Sequence, residues 1–415
     1  HHKLTTLNDP AVELKLAKHC LGESKVQHLL RLYGQELYTT LATADKTIDM
    51  TLTRIATGLT DTGRQQAALG LHIGGLGLRH IKDIALPAEL AAKLTARPKV
   101  RELCTALSTA GLTPPGQLTD HLDSKIAQLQ HNLATQLHST EASLLPELIQ
   151  QITGRAQNEW DAIRHGIDIT APQPKPPWQR LSTSSHEHDP TAHSDPDDET
   201  ACNTNKAQHL LCQLTDNTRA RLLYLEQVDQ EATDDIERIN ELRHPQVHHQ
   251  WIYHIDHTAG TVLPPDIYKD AIRHRLGCQF LPEATTCHCC GKLLDVRCTH
   301  TGCCATAEAT RGHYSIVRAI TAVAKTIDPT TSREETFGDS TRLRPGDIIT
   351  NAVLDGRRVA IDVGITSQAN QTQGDPIQNY ANTKLRKYRR IIENELHPDG
   401  TSFRAAIWTQ EGRPG

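Results

Sequence analysis

The 415-residue chain lacks several features that would place it in a familiar class. It contains one methionine, Met50, and begins with His1. Because a natural open reading frame begins with methionine, we expect the sequence to be a piece of a longer protein. It has no apolar run near the roughly 18 residues of a membrane span and no charged-then-apolar leader. The sequence therefore predicts an intracellular protein with no membrane partner.

The chain also lacks an excess of positive charge. Its 44 Lys and Arg residues are outnumbered by 49 Asp and Glu residues, which gives a formal net charge of -5. A protein that binds nucleic acid through a global basic field would carry the opposite balance. Any nucleic-acid binding must therefore depend on local patches.

Cysteine, in contrast, is concentrated in one place, because six of the 11 cysteines lie between Cys287 and Cys304. This clustering favours a metal site in a reducing compartment over a disulfide framework. The spacings Cys287-x2-Cys290 and His300-x3-Cys304 suit tetrahedral zinc held by three thiolates and one imidazole. Four neighbours remain as alternative ligands: His288, Cys289, Cys298 and Cys303. The alternative to zinc is a group of thiols without a metal.

Periodicity and composition divide the chain into four segments and predict an α+β protein. Residues 1–172 are predicted to be mostly helical, with one apolar stripe at Leu122, Ile126, Leu129, Leu133 and Leu137. Residues 173–206 are rich in Pro, Ser, His and Asp and are predicted to be a disordered linker. Residues 207–305 are predicted to be a helical segment that carries the cysteine cluster at 287–304.

The last segment, residues 306–415, is predicted to be an α/β domain. It begins with a helix from about Glu308 to Lys325, whose apolar face is expected to hold Ile316, Ile320, Val323 and Ile327. "RPGDIITNAVLDGRRVAIDVGITSQ" then reads as a β-hairpin around an Asp355-Gly356 turn. A basic helix and a strand at Ala405 to Trp408 follow.

The hairpin carries two acids, Asp347 and Asp362, among apolar residues. A two-residue turn at 355–356 pairs Ile349 with Asp362 and Asp347 with Gly364. Both acids then share a face as diagonal neighbours, roughly 7–8 Å apart between backbones. Carboxylates held in this way repel each other unless a cation lies between them, and Mg²⁺ is the hard oxygen-seeking ion expected there. The alternative is a half-exposed hairpin whose acids face solvent.

The segment "TKLRKYRR" places five cations within seven residues. Lys384, Lys387 and Tyr388 share one helical face by their i, i+3 and i+4 spacing. That face could present a lysine to a phosphate while the arginines hold a nucleic-acid backbone. The alternative is a solvated basic face.

These features occur in an order that resembles a known family. The knuckle, a helix with Arg311 and His313, "EETFGDSTRLRPGD", the "IDV" strand and the "KLRKY" helix resemble the C-terminal half of non-LTR (LINE-like) retrotransposon proteins. Upstream, "LNDPAVELKLAKHCLGESKVQHLLRLYG" and "RQQAALGLHIGGLGLRHIKDIALPAELAA" are similar to segments that follow the polymerase domain in this family. The family combines a reverse transcriptase with a zinc knuckle and a restriction-endonuclease-like nuclease of the PD-(D/E)xK fold.

The resemblance implies roles for the acids and for one lysine. Asp347 corresponds to the first metal-binding acid, Asp362 to the second, and Glu335 (or Glu334) to an acid on the preceding element. The family's lysine would stand at position 364, which is Gly364 here. The lysine of the following helix, Lys384, then becomes the catalytic candidate, with Lys387 in reserve.

The resemblance also implies a nucleic-acid contact surface and departs from the motif in one place. Arg311 and His313 fit the basic pair on the helix after the knuckle, although His313 could equally be structural. The remaining candidate nucleic-acid-binding residues lie on the basic helix and are Lys387, Tyr388 and Arg389. A glycine stands between proline and acid in Pro345-Gly346-Asp347, where the motif has Pro-Asp.

The function implied is a Mg²⁺-dependent DNA endonuclease that nicks target DNA to prime reverse transcription, in the nucleus. Zinc would be structural and Mg²⁺ catalytic, and the partners would be target DNA and, through the rest of the polyprotein, the element RNA. No polymerase active site is expected, because the Asp-Asp pairs at 197–198 and 234–235 lack the strand context. The alternative is a catalytically inactive, zinc-stabilised nucleic-acid-binding remnant.

Overall fold

The computed structural model describes residues 7–21, 25–112, 118–164, 203–255, 262–304, 308–333, 346–353, 357–366, 374–398 and 400–415. These residues form a mixed α+β protein that is mainly helical and has small sheets. The predicted linker lies outside the described residues except for 203–206, which are helical. The predicted Asp355-Gly356 turn lies outside them as well.

Eleven α-helices and six strands occur within these ranges. The helices are α1 Pro10–Leu16, α2 Gln27–Ile55, α3 Asp61–Ala68, α4 Ile81–Thr109, α5 Leu118–Gln136, α6 Ser139–Arg164, α7 Asn203–Asp229, α8 Thr233–Leu242, α9 Pro265–Arg275, α10 Glu308–Ile327 and α11 Pro376–Ile391. The strands are β1 Thr285–Thr286, β2 Leu293–Leu294, β3 Ser332–Arg333, β4 Ile348–Thr350, β5 Val359–Thr366 and β6 Ser402–Thr409.

The chain divides into two compact units, each made of separate stretches of sequence. We call them the helical unit (Lys15–Met50 and Leu78–Leu223) and the mixed unit (His1–Leu14, Thr51–Gly77 and Tyr224–Gly415). This division differs from the predicted segments, which kept residues 1–172 together. The difference arises because buried polar side chains tie Thr51–Gly77 to α9. The Gln66 amide, for example, donates to the Arg275 carbonyl over 3.0 Å.

The helical unit is organised by apolar stripes on its helices. The stripe predicted from Leu122 to Leu137 is part of the core, since Ile126, Leu129 and Leu133 are buried. They pack with residues of α4 such as Leu90. Burial of apolar side chains, each worth about 1.5–3 kcal/mol, is the main stabilising contribution of such an interface.

The mixed unit contains a four-stranded sheet in the order β3-β4-β5-β6. Strands β3, β4 and β5 pair antiparallel, whereas β5 and β6 pair parallel over eight residues each. Parallel strands need a crossover connection, and α11 lies in the chain between β5 and β6. The predicted strand at Ala405 to Trp408 lies within β6.

Helices cover the sheet on both faces. One face packs Ile348 and Val363 against Val317 of α10. The other face packs Ile349 and Ala360 against the side of α11 that carries Tyr388 and Ile391. The same apolar cluster also contains Ile392, Leu396 and Phe403. Strand β5 is therefore buried on both sides. The alternative of a half-exposed hairpin does not apply to this part of the chain.

The register between β4 and β5 differs from the predicted one by two residues. Ile349 pairs with Ala360 and Thr350 with Val359, whereas a two-residue turn at 355–356 paired Ile349 with Asp362. Because a shift of two preserves side-chain faces, Asp347 and Asp362 still share a face. Continued by one residue, the register places them directly opposite each other instead of on a diagonal.

One prediction for α10 was wrong in part. Ile316 and Ile320 pack on the sheet, but Val323 and Ile327 are 66% and 69% exposed. Helical spacing puts all four on one side, but the buried residues of the second half, Thr321 and Ala324, lie roughly 100° around the helix from that side.

None of the described helices combines the length and the hydropathy that a membrane-spanning segment needs.

Candidate functional site

The cysteine cluster is built on a short hairpin followed by a turn of 3-10 helix, Thr299–Cys303. Between the first two cysteines and β2 the chain turns at Gly291, which has φ +74°. The Gly291 N–H donates to the Cys287 carbonyl over 2.7 Å, and the Cys287 N–H donates to the Lys292 carbonyl over 2.8 Å. Glycine fits this turn because a positive φ costs it little.

The structure gathers Cys287, Cys290, His300 and Cys304, whose ligand atoms all lie within 4.8 Å of one another. The Cys287 and Cys304 sulfurs are 3.8 Å apart. Two sulfurs bound to one zinc at about 2.3 Å in a tetrahedron would be separated by about that distance. This Cys3His cluster could hold a metal such as zinc. No other cluster of three or more metal ligands occurs within the described residues.

The backbone prepares the cluster for a cation. N–H groups of Cys289 and Cys290 point at the Cys287 sulfur and lower the pKa of that thiol to about 7. A thiolate, and not a thiol, is the ligand that zinc binds. Cys287 and Cys304 are buried, while Cys290 is exposed. A metal bound here would therefore link the exposed Cys290 to the two buried cysteines.

Asp295 fixes the segment that carries His300. Its carboxylate accepts the Thr299 N–H over 2.7 Å and the Thr299 hydroxyl over 3.0 Å. The adjacent Arg297 pairs with Asp235 of α8 at 2.6 Å. These contacts connect the cluster to α8 without involving its ligands.

A second group of polar side chains lies beside the two inner strands of the four-stranded sheet, where β4 begins next to the middle of β5. We call Asp347, Asp362, Lys384 and His313 the sheet cluster. The Val363 N–H donates to Asp347 Oδ2 over 2.7 Å, and His313 Nε2 lies 3.3 Å from Asp347 Oδ1. Both oxygens of this carboxylate are therefore oriented. The contact with Asp347 raises the pKa of His313.

Asp362 is the most buried member of the sheet cluster, with a side chain only 4% exposed. Lys384 reaches it from α11, with Nζ 2.7 Å from Asp362 Oδ2. Burial and the nearby Asp347 raise the pKa of Asp362, although Lys384 opposes the shift. Burial acts to lower the pKa of Lys384, but the contact with Asp362 outweighs it and the pKa is raised.

Position 364 has no room for a longer side chain. A Cβ added at Gly364 would lie 2.6 Å from Ile407 and 2.6 Å from the Tyr380 ring. Such contacts are far below ordinary van der Waals distances. The tight packing around position 364 therefore leaves no space for the lysine that was expected there. The ammonium beside Asp362 comes from Lys384 instead.

Tyr388 does not lie on the surface, where a nucleic acid would contact it. Its side chain is buried and its ring lies 5.9 Å from that of Phe403. Its hydroxyl faces Asp362, and burial together with that carboxylate raises the pKa of Tyr388 to about 12. The i, i+4 spacing from Lys384 was correct about the face but could not tell whether that face is buried.

The other predicted contact residues are distributed differently. Lys387 is exposed, with its Nζ 4.7 Å from the centre of the Tyr388 ring. Arg389 is exposed and pairs with Glu393 at 2.9 Å. Glu334, Glu335 and the side chain of Arg311 lie outside the described residues.

Sequence reasoning missed Tyr380. The Lys384 ammonium lies 5.4 Å from the centre of the Tyr380 ring, and the same ring closes position 364. Tyr380 precedes Lys384 by four residues, so the helical spacing could have pointed to it.

Comparisons with protein-family models and with curated protein sequences find no match to this chain. What can be said of the sheet cluster therefore comes from its chemistry. Two carboxylates face each other, and an ammonium lies against the buried one, Asp362, which leaves the group with a net negative charge. The Val363 carbonyl, 3.5 Å from Lys384 Nζ, adds a neutral oxygen at the same place. Oxygen donors of these kinds are the ligands that Mg²⁺ prefers.

Proposed function

We propose that this chain is the endonuclease part of a retrotransposon polyprotein, which cuts one strand of target DNA with Mg²⁺ as cofactor. The observation that carries the proposal is the buried ion pair of Asp362 and Lys384 beside Asp347. Ionisable groups with perturbed pKa values cluster at functional sites, which makes a buried carboxylate with a charged partner a candidate for one.

The arrangement of elements supports a nuclease of the restriction-endonuclease-like class. In chain order it has helix α10, three antiparallel strands, helix α11 and a parallel strand, with the sheet covered on both faces. The two acids stand at the start of β4 and within β5, and the lysine stands on α11. These are the positions that the resemblance implies, apart from the lysine.

Each residue of the sheet cluster has a chemical task in this proposal. Asp347 and Asp362 would hold the cation, with the His313 and Val363 N–H contacts fixing the direction of the Asp347 carboxylate. When bound, Mg²⁺ would supply Lewis acidity and lower the pKa of a coordinated water. Lys384 would place its positive charge next to the phosphate, where negative charge develops during hydrolysis.

Phosphodiester nicking of a supercoiled plasmid with Mg²⁺ tests the proposal directly. We expect the chain to produce open circles, and Asp362→Asn and Lys384→Met to reduce the rate at least about 100-fold. Asp270→Asn, at an exposed position on α9, is the matched control and should cut like the unaltered chain. Equal rates for Asp362→Asn and the unaltered chain would overturn the assignment.

A chain that binds DNA but never cuts it would instead favour the zinc-stabilised binding remnant. Such binding would survive removal of Mg²⁺ by a chelator and would still weaken with rising salt, because phosphate contacts release counterions.

A further inference from the structure

The outward side of α11 carries positive charge that the contacts of its inward side with the sheet do not require. The helix contains no Asp or Glu between Pro376 and Ile391, yet it carries five cations. Its inward side holds Lys384, Tyr388 and Ile391 against the sheet. The opposite side presents Asn382 and Arg386, both exposed, on successive turns.

A continuous polar track runs around the helix from the sheet cluster to this outward side. At about 100° per residue, Lys387 lies about 60° from Lys384, Thr383 about 100°, Arg390 about 120° and Arg386 about 160°, all in the same sense. The exposed members of the track are Lys387, Thr383, Arg390 and Arg386. Asn382 and Arg386 also border an open surface cavity of about 610 Å³.

Arg386 differs from its neighbour Arg389 in its charge partners. Arg389 pairs with Glu393 at 2.9 Å. Arg386 makes no ion pair within the described residues, and its guanidinium has only long contacts to Thr383 Oγ1 and the Asn382 carbonyl, each 3.4 Å. An exposed guanidinium of this kind can rearrange to meet a ligand at little cost.

We propose that the outward side of α11 lies in the major groove of the target duplex and reads its base sequence, with Arg386 recognising guanine and Asn382 recognising adenine. The inference rests on the proposed function, because a phosphate held at the sheet cluster brings the duplex to α11. A helix with side chains is about 10–12 Å wide and fits a major groove about 12 Å wide.

The chemistry of the two side chains selects their partners. Arginine donates two hydrogen bonds to O6 and N7 of guanine, and asparagine pairs with N6 and N7 of adenine. Because Asn382 and Arg386 are four residues apart, they are separated by about 6 Å along the helix, or about two base pairs. Lys387 and Arg390, nearer the sheet cluster, would contact phosphates on the wall of the groove.

Sequencing the nick positions in a randomised duplex library tests the inference. The unaltered chain should prefer guanine at one position near the nick and adenine about two base pairs away. Arg386→Ala should reduce the guanine preference by about 5- to 150-fold, and Arg386→Gln should shift it toward adenine. Arg389→Ala, the matched control on the same helix, should leave the preference unchanged.

The outcomes separate the two proposals. Nicking with no base preference, or a preference that Arg386→Ala leaves intact, overturns base reading while keeping the nuclease. If the unaltered chain does not nick, the proposed function fails, and the duplexes retained by the protein are sequenced instead. Retained duplexes without enrichment that depends on Arg386, or retention of RNA in place of duplex DNA, then overturn base reading as well. Matching melting temperatures of all variants exclude misfolding as the cause.

Discussion

The cysteine cluster and the sheet cluster differ in how far apart their members lie in the sequence. All four ligands of the cysteine cluster occur between Cys287 and Cys304. The sheet cluster joins His313 of α10, Asp347 before β4, Asp362 of β5 and Lys384 of α11. The first is a local hairpin, whereas the second exists only when two helices pack on opposite faces of a sheet.

The two clusters also differ in how their charges are balanced. Backbone N–H groups lower the pKa of the Cys287 thiol to about 7, and only a cation would neutralise several thiolates there. In the sheet cluster, the Lys384 ammonium already lies against Asp362. The cysteine cluster should therefore depend on its metal for structure, while the sheet cluster should keep its structure without one.

Removal of a cysteine ligand should have the largest effect. We expect Cys287→Ala to lose about one equivalent of bound zinc and to unfold the hairpin, because structural zinc contributes folding free energy directly. Zinc content by atomic absorption and hydrogen exchange over β1 and β2 measure both changes. Cys289→Ala, which changes a thiol outside the cluster, should retain the metal. A Cys287→Ala protein with full zinc content would contradict the ligand set.

Breaking the Asp362–Lys384 pair from one side should have the next largest effect, this time without any metal. Asp362→Ala leaves the Lys384 ammonium, only 15% exposed, without its partner, which costs about 3–5 kcal/mol in the free energy of unfolding. The double variant Asp362→Leu/Lys384→Met should recover most of that loss, since it removes both charges. Urea denaturation measures the series, and a double variant no more stable than Asp362→Ala would refute the ion-pair account.

Gly364→Ala should be destabilising by about 1–3 kcal/mol, because overpacking forces neighbouring side chains to move. The added methyl would meet Tyr380 and Ile407 at 2.6 Å. Gly154→Ala in α6 is the matched control, because a Cβ there meets nothing within 4 Å. It should increase stability by about 0.5–1 kcal/mol. A Gly364→Ala protein as stable as the unaltered chain would contradict this steric account of position 364.

The smallest effect concerns Asp328, which follows α10 and contacts the end of β4 through Thr350. Its Oδ2 accepts the Asn351 N–H over 2.6 Å and its Oδ1 the Thr330 N–H over 3.0 Å. These donors lower the pKa of Asp328. A lowered pKa contributes stability that is fully present above the unfolded value of about 3.9 and is lost as the pH falls through the folded value.

Asp328→Asn should therefore be less stable than the unaltered chain at pH 7, and the difference should shrink below about pH 4. Urea denaturation at pH 7 and pH 3 measures this change. A difference that stays constant over that range would mean that the charge of Asp328 contributes nothing.

Much of the secondary structure followed from the sequence. The stripe from Leu122 to Leu137, the helix that begins at Glu308 and the strand at Ala405 to Trp408 follow the apolar periodicity that buried faces impose. The four members of the Cys3His cluster could also be predicted from their spacing, because a short hairpin brings its own ends together.

Long-range structure could not be derived in the same way. The β4–β5 register differed by two residues because strand alternation fixes which face a side chain takes but does not distinguish pairings that differ by two. Tyr388 was predicted on the correct helical face, but it was expected to be exposed and is buried. Burial depends on what packs against that face, which helical spacing does not specify. Val323 and Ile327 show the converse, because the face of α10 that is buried is rotated roughly 100° away from them.

The sequence by itself determined which residue types are present, the helical faces on which they lie and the cysteine cluster, all of which depend on spacings shorter than about 20 residues. Only the tertiary structure decided that Lys384 meets Asp362, that Tyr380 closes position 364 and that the outward side of α11 remains open to solvent. The physical reason is that helical and strand periodicities fix directions around one element. Contacts between elements depend on register and packing, to which the whole chain contributes.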